Sequence, residues 1–129
     1  MIVVDTSVWV SVLRGLPGAT TATLNGLLDA DEVGLALPVR LELSAGVAKD
    51  QRPALRRALS ALPVIVPTDD TWPLIERWID QAANAGHRFS LTDLLIAALA
   101  DEVGALVWSL DADFERMATI GFVRLYASG

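Results

Sequence analysis

The chain has 129 residues, 53% of them hydrophobic, a formal net charge of −6 and no cysteine. That length can bury about two-thirds of its unfolded surface as one domain, and the missing cysteine excludes disulfides, thiol nucleophiles and thiolate metal sites. No apolar run approaches the ~20 residues of a membrane span, and the start Met1-Ile2-Val3-Val4-Asp5 lacks the basic and long apolar regions of a signal peptide, so a cytoplasmic protein with no membrane partner is expected.

Met1 to Val4 is a short β-rich run that reads as a buried strand. Asp5-Thr6-Ser7 supplies helix-capping side chains ahead of Val8 to Leu13, and Gly15-Leu16-Pro17-Gly18 breaks that helix. A second helix is predicted over Thr20 to Ala30, with Leu24, Leu27 and Leu28 on one face. Gly34 to Leu37 reads as a strand, and Pro38 suits the first turn of a helix running to Ala48. Pro53 to Leu62 is the next helix, and Val64-Ile65-Val66, between Pro63 and Pro67, a third strand. Asp69 to Ala85 is helical and stops at Gly86. Ser90-Leu91-Thr92-Asp93 resembles a capping box, with Asp in place of Glu or Gln, and opens a helix to Val103. Ala105 to Trp108 is a fourth strand, Phe114 to Ala118 a short helix, and Phe122 to Leu125 a fifth strand. Strands alternating with helices imply a mainly parallel, five-stranded sheet covered on both faces, a three-layer α/β/α domain over residues 1–129. Trp72, Leu74, Ile75 and Trp78, like the leucines of the second helix, read first as core and second as partner surface.

Against this frame five acids stand out. Asp5 ends the first apolar run, and Asp111 follows Leu106 to Leu110, with Asp113 two residues on. Both Asp5 and Asp111 lie just past a predicted strand, at the edge where open parallel sheets bind ligands. Glu42 lies in the first turns of the helix after the second strand, among Pro38, Val39, Ala45 and Gly46, which reads as a small apolar face. Asp93 opens the very apolar Leu94 to Ala100. Singly, Asp5, Asp93 and Asp111 have ordinary roles as helix caps or first-turn acids. Together they form an acidic set at one sheet edge, and hard oxygen ligands without cysteine or a histidine pair suit Mg²⁺ or Mn²⁺.

Val4-Asp5-Thr6-Ser7, Glu42-Leu43 with Gly46, Thr92-Asp93-Leu94-Leu95-Ile96-Ala97-Ala98 and Ser109-Leu110-Asp111-Ala112-Asp113-Phe114 resemble, in order and spacing, the successive signatures of PIN-domain nucleases. The short chain is most similar to VapC-type toxins of bacterial toxin–antitoxin pairs. The resemblance implies a metal-dependent endoribonuclease that hydrolyses phosphodiester bonds of structured RNA, such as a tRNA or rRNA loop, by metal-activated water. It also implies a cognate antitoxin and a homodimer. Ser109 stands where the family often has Thr, and the last acidic position falls on Asp111 or Asp113. In this scheme Asp5 and Asp93 are direct metal ligands, Glu42 and Asp111 complete the shell or orient the attacking water, and Asp113 assists. Thr6, Ser7 and Ser109 are candidates for bonds to carboxylates or to a substrate phosphate.

The net charge of −6 argues against a broad phosphate-binding surface, although six of the ten basic residues fall between Arg40 and Arg77. Arg14, Arg40 and Arg88, each near one of the motifs, are candidate phosphate contacts. His87 is the single histidine, which excludes a two-histidine ribonuclease. An aspartate-nucleophile phosphatase would place a second Asp at position 7, where this chain has Ser. A non-catalytic PIN-like binding module is the remaining alternative.

Overall fold

Ile2, Val3 and Val4 carry no polar side chain, and β1 (Ile2–Val4) is buried along its whole length at the centre of the sheet. The computed structural model describes residues 1–15 and 18–127. β1 pairs in parallel with β2 (Val33–Ala36), through Ile2↔Val33 and Val3↔Gly34. On its other side it pairs in parallel with β4 (Leu106–Trp108), in the register Ile2↔Leu106, Val3↔Val107 and Val4↔Trp108. β3 (Val64–Ile65) lies outside β2, giving the order β3-β2-β1-β4. All four residues of β2 are buried as well, as expected when helices cover both faces of a parallel sheet.

The fifth strand anticipated over Phe122 to Leu125 is present only as a parallel bridge between Val107 and Leu125. Its backbone bonds run from Val107 N–H to Arg124 C=O (2.9 Å) and from Tyr126 N–H to Val107 C=O (2.8 Å). Phe122 instead turns into the core and stacks on Trp78, with ring centroids 4.3 Å apart and planes 3° from parallel. That contact leaves only the residues around Leu125 within reach of β4.

The helices are α1 (Thr6–Leu13), α2 (Ala19–Asp29), α3 (Leu37–Gly46), α4 (Arg52–Leu59), α5 (Thr71–Asn84), α6 (Leu91–Glu102) and α7 (Ala112–Thr119), with a 3-10 turn at Lys49–Gln51 before α4. Leu37, expected to end a strand, starts α3, because Pro38 fits the first helical turn and Ala36 is already in the extended capping conformation. The helix break expected at Gly15-Leu16-Pro17-Gly18 falls partly on Leu16 and Pro17, which lie outside the described residues. None of the helices among the described residues is long and apolar enough to cross a membrane.

Helix α6 holds the architecture together. Leu94, Ile96, Ala97, Ala98, Leu99 and Ala100 are all buried, and the helix packs against α3, α5, β2 and β4. A helix apolar around most of its circumference belongs in a core. Gly104 (φ 68°) ends it: Gly104 N–H reaches Asp101 C=O and Ala105 N–H returns to Ala100 C=O. This left-handed turn, which glycine adopts without strain, directs the chain into β4. Gly86 (φ 81°) terminates α5 in the same way and starts the loop that carries the chain to the N-terminus of α6.

Candidate active site

Asp5 is placed by the strand it terminates. Its N–H donates to Trp108 C=O at 2.8 Å, which extends the β1–β4 ladder by one residue and fixes Asp5 at the carboxyl edge of the sheet. Its extended backbone (φ −67°, ψ 155°) makes it the N-cap of α1, and its side chain accepts a long bond from Ser7 N–H. The stronger bonds come from two hydroxyls: Ser7 Oγ and Ser109 Oγ each donate to Asp5 Oδ2 at 2.7 Å.

A serine hydroxyl has one proton to give. With both given to Asp5, the 3.2 Å approach of Ser7 Oγ to Ser109 Oγ is a contact rather than a hydrogen bond. The same two oxygens accept backbone protons from the loop after β4: Leu110 N–H reaches Ser7 Oγ at 3.0 Å and Asp111 N–H reaches Ser109 Oγ at 2.9 Å. Ser7 and Ser109 therefore clamp the loop after β1 to the loop after β4 through the buried Asp5, 5% exposed. Of the two roles open to these serines, bonds to a carboxylate are the ones observed.

Asp93 arrives on the first turn of α6. Ser90 (φ −65°, ψ 152°) caps that helix and accepts from Asp93 N–H at 3.1 Å. The half-buried Asp93 carboxyl is pushed up from 3.8 to about 6, mainly by burial and then by the negative charges of Asp5 and Asp111, with a smaller push from Asp113; a hydrogen bond from Ser90 opposes these in part. Asp111 caps α7 and accepts from Asp113 N–H at 2.9 Å. Carboxylate oxygens of Asp93, Asp111 and Asp113 lie within 4.8 Å of one another. Within this group Asp113 has a cationic partner, Arg116, at 2.6 Å and three residues along α7. Carboxylates crowded this closely raise one another's proton affinity unless a cation joins them, so the donor set fits a hard divalent ion.

Glu42 differs from the sequence expectation. It is exposed, as are Ala45 and Gly46, so its side chain does not lie on a buried apolar face. It joins the site through Thr6, whose hydroxyl donates to Glu42 Oε1 at 2.7 Å and ties α3 to the residue after Asp5. Burial is likewise uneven across the set: Asp5 is buried, Asp93 and Asp113 are half-buried, and Asp111 is exposed. The acids thus converge as Asp93, Asp111 and Asp113 at mutual contact range, Asp5 acting on Asp93 by charge and tied to Asp111 through Ser109, and Glu42 at the margin.

The arginines separate. Arg14 lines a groove of about 270 Å³ between α1 and α3 together with Glu42. Arg88 lines one of about 600 Å³ beside Ser90, the cap of the helix that carries Asp93. Arg40 opens elsewhere, onto a groove with Ser44, Arg56, Leu59 and Val64. Arg116 escaped the sequence reading, although an acid and an arginine three apart at a helix start are a readable pairing signal.

The PIN domain family matches residues 2–120. This chain belongs to the PIN-domain family. Within it, the chain is 33% identical to ribonuclease VapC11 of Mycobacterium tuberculosis over 125 residues, 93% of each chain. It is 34% identical to ribonuclease VapC18 of the same organism over 122 residues, 91% of this chain and 87% of that one. Among solved structures, VapBC2 from Rickettsia felis, bound to a promoter DNA fragment, superposes with a TM-score of 0.80 at 22% identity and covers 98% of both chains. FitAcB from Neisseria gonorrhoeae does so with a TM-score of 0.76 at 21% identity, covering 99% of this chain and 98% of that one. The PIN fold sets all five acids at or beside one sheet edge.

Proposed function

We propose that this PIN domain is a divalent-metal-dependent endoribonuclease, the toxin of a toxin–antitoxin pair, acting on structured RNA such as a tRNA or rRNA loop. The observation that carries the reading is the Asp93–Asp111–Asp113 cluster, with carboxylate oxygens within 4.8 Å of one another, beside an Asp5 that two serine hydroxyls hold in place. The relatives at 33% and 34% identity are ribonucleases by name, and the solved VapBC2 assembly supports a cognate antitoxin as partner.

Asp5, Asp93 and Asp111 would hold Mg²⁺, with Mn²⁺ as a substitute, and Asp113 would assist. When bound, the ion supplies a water of lowered pKa and positive charge to offset the charge that develops on the phosphoryl oxygens. The protein's own part is positional. Ser7 and Ser109 fix the Asp5 carboxylate so that little reorganisation accompanies binding. Thr6 leaves Glu42 Oε2 free of the bond made by Oε1, so that an exposed carboxylate is available to orient a water and accept its proton. Arg14, in the groove with Glu42, and Arg88, in the groove beside Ser90, would meet flanking phosphates. The phosphatase alternative loses ground because Ser7, at the position of the required second Asp, is a donor to Asp5.

The test is cleavage of a structured RNA panel with Mg²⁺ or Mn²⁺, with EDTA, and with Asp5→Ala and Asp93→Ala. Metal-dependent cleavage lost in both variants is the expected result. Cleavage that survives both substitutions would overturn the mechanism, and turnover of p-nitrophenyl phosphate without RNA cleavage would restore the phosphatase. An antitoxin arginine entering the acids would compete with the ion, so capture of the antitoxin should weaken in excess Mg²⁺.

A further inference from the structure

Half of the chain's ten basic residues, Arg40, Lys49, Arg52, Arg56 and Arg57, fall between positions 40 and 57, where the acids are Glu42 and Asp50 alone. This stretch reverses the sign of a chain whose net charge is −6. Among the described residues none of the five makes an ion pair. Unpaired cations gathered on an acidic protein make a local field suited to an anion.

The fold arranges them along the seam between α3 and α4. Arg52 Nε donates to Ser44 C=O at 2.8 Å and fixes the first turn of α4 against α3. Arg56 and Ser60 follow at four-residue steps along α4 and its C-cap, and Arg40 and Ser44 are four apart on α3, so each set shares a helix face. Arg40, Ser44, Arg56 and Ser60 line a groove of about 560 Å³ together with Leu41, Leu59 and Val64, and no acid is among these described residues. The two hydroxyls have already given their protons, Ser44 Oγ to Arg40 C=O at 2.8 Å and Ser60 Oγ to Arg57 C=O at 2.7 Å. Toward a ligand their oxygens can only accept. The groove therefore sets guanidinium donors, which suit a phosphate, beside hydroxyl oxygens that want a donor.

Phosphate beside a donating hydroxyl is the chemistry of RNA, whose 2′-OH both donates and accepts. DNA lacks that hydroxyl, and the ionised carboxylates of an acidic peptide bring acceptors alone. We propose that the α3–α4 groove binds the ribose-phosphate backbone of the RNA away from the cleavage point, with phosphates on Arg40 and Arg56 and a 2′-OH on Ser44 or Ser60. The identity of the ligand rests on the endoribonuclease reading. Glu42 is two residues on from Arg40, about 200° around a helix of 3.6 residues per turn, and is held on the side of Thr6 and the acids. Helix α3 is therefore a ridge, about 10–12 Å across, between the acids and the groove. An RNA that engages both must cross it, which favours a substrate extending well beyond the scissile bond.

Fluorescence anisotropy of a structured RNA across salt concentrations, and cleavage of the same RNA with Mg²⁺, test the groove through separate readouts. Arg40→Gln combined with Arg56→Gln should weaken binding and raise KM by about tenfold, with kcat and the far-ultraviolet circular dichroism spectrum unchanged. The slope of log affinity against log salt should fall by roughly 1.4–1.8, the loss of two phosphate contacts. Arg40→Lys combined with Arg56→Lys keeps both charges and should keep the slope, whereas Arg77→Gln, on α5 outside the groove, should move neither slope nor KM. Ser44→Ala combined with Ser60→Ala should narrow the preference for RNA over DNA of the same sequence by a few-fold. RNA cut with KM and slope unmoved in the glutamine double variant overturns the proposal. So does a glutamate-rich peptide that binds the wild type and not that variant while RNA affinity stays put, which assigns the groove to a protein. RNA bound with the expected change of slope but left uncut supports the groove and overturns the nuclease reading instead.

Discussion

Asp93→Asn separates what the acidic cluster costs from what it does. The carboxyl is raised from 3.8 to about 6, a difference worth roughly 3 kcal/mol for a group wholly shielded from water. Asp93 is only half-buried, and solvent screening brings this to about 1 kcal/mol. Attraction between a first-turn carboxylate and the helix dipole, about 0.3–1 kcal/mol, works against it, leaving roughly 0.5 kcal/mol. The sign follows from the direction of the shift. The folded state holds the proton more tightly than the unfolded state, so this contribution to stability is complete below pH 3.8 and is lost as pH rises through about 6. In EDTA at pH 8, Asp93→Asn should therefore be slightly more stable than the wild type, by about 0.5 kcal/mol, with the gain vanishing near pH 4. Saturating Mg²⁺ should reverse the order, adding about 2.7 kcal/mol to the wild type at a hundredfold excess over the dissociation constant and little to the variant. Urea unfolding at the two pH values, with EDTA and with Mg²⁺, measures all of this. A variant less stable than the wild type by the same amount at both pH values would refute the reasoning, because Asp93 would then be an ordinary helix-start residue.

Asp5→Asn should keep the cap of α1 and lose RNA cleavage, whereas Asp5→Ala should lose cleavage and about 1 kcal/mol of stability besides; melting curves beside cleavage assays separate the two effects. Thr6→Val should lower kcat by about tenfold through a loosened Glu42, against on the order of 100-fold for Glu42→Gln, with stability changed by less than about 0.5 kcal/mol because the bond is exposed. Equal kinetic losses would contradict this, giving Thr6 a role as large as that of Glu42. Asp111→Asn should weaken Mn²⁺ binding by about tenfold and Asp113→Asn by only a few-fold, because Arg116 already offsets the charge of Asp113. Calorimetric titration reads both, and the reverse order would assign the last acidic position to Asp113.

The alternation of strand and helix was legible because the elements that matter are unambiguous in composition: Ile2-Val3-Val4 leads directly into capping residues, and Leu94 to Ala100 is too apolar for anything but a core helix. Strand ends were less legible. Leu37 suits either a strand or a helix start, and local propensity cannot weigh the capping geometry of Ala36 against it. Phe122 looked like strand sequence, but its stacking on Trp78 depends on a partner 44 positions away in the chain (122 − 78). For the site, strand-end positions singled out Asp5 and Asp111, and topology made their convergence reasonable. The apolar neighbours of Glu42 misled, because helical spacing says which residues share a face and not whether that face is covered. Trp72, open to both a core and a surface reading in the sequence, is exposed and lies on the stripe adjacent to Ile75 and Trp78. The serine clamp on Asp5 joins residues 103 and 104 positions apart in the chain and could be seen only in three dimensions.

The central claim is that these scattered acids make one metal site and that this site cuts RNA. Anomalous scattering from crystals grown with Mn²⁺ tests it most directly, paired with cleavage by the same preparation. The account predicts a manganese peak bonded to carboxylate oxygens of Asp5 and Asp93 at about 2.2 Å, close to the Mg²⁺ value, with Asp111 or Asp113 completing the shell. In Asp93→Asn, peak and cleavage should disappear together. Metal bound elsewhere, or RNA cut by a protein whose acids hold none, would contradict it.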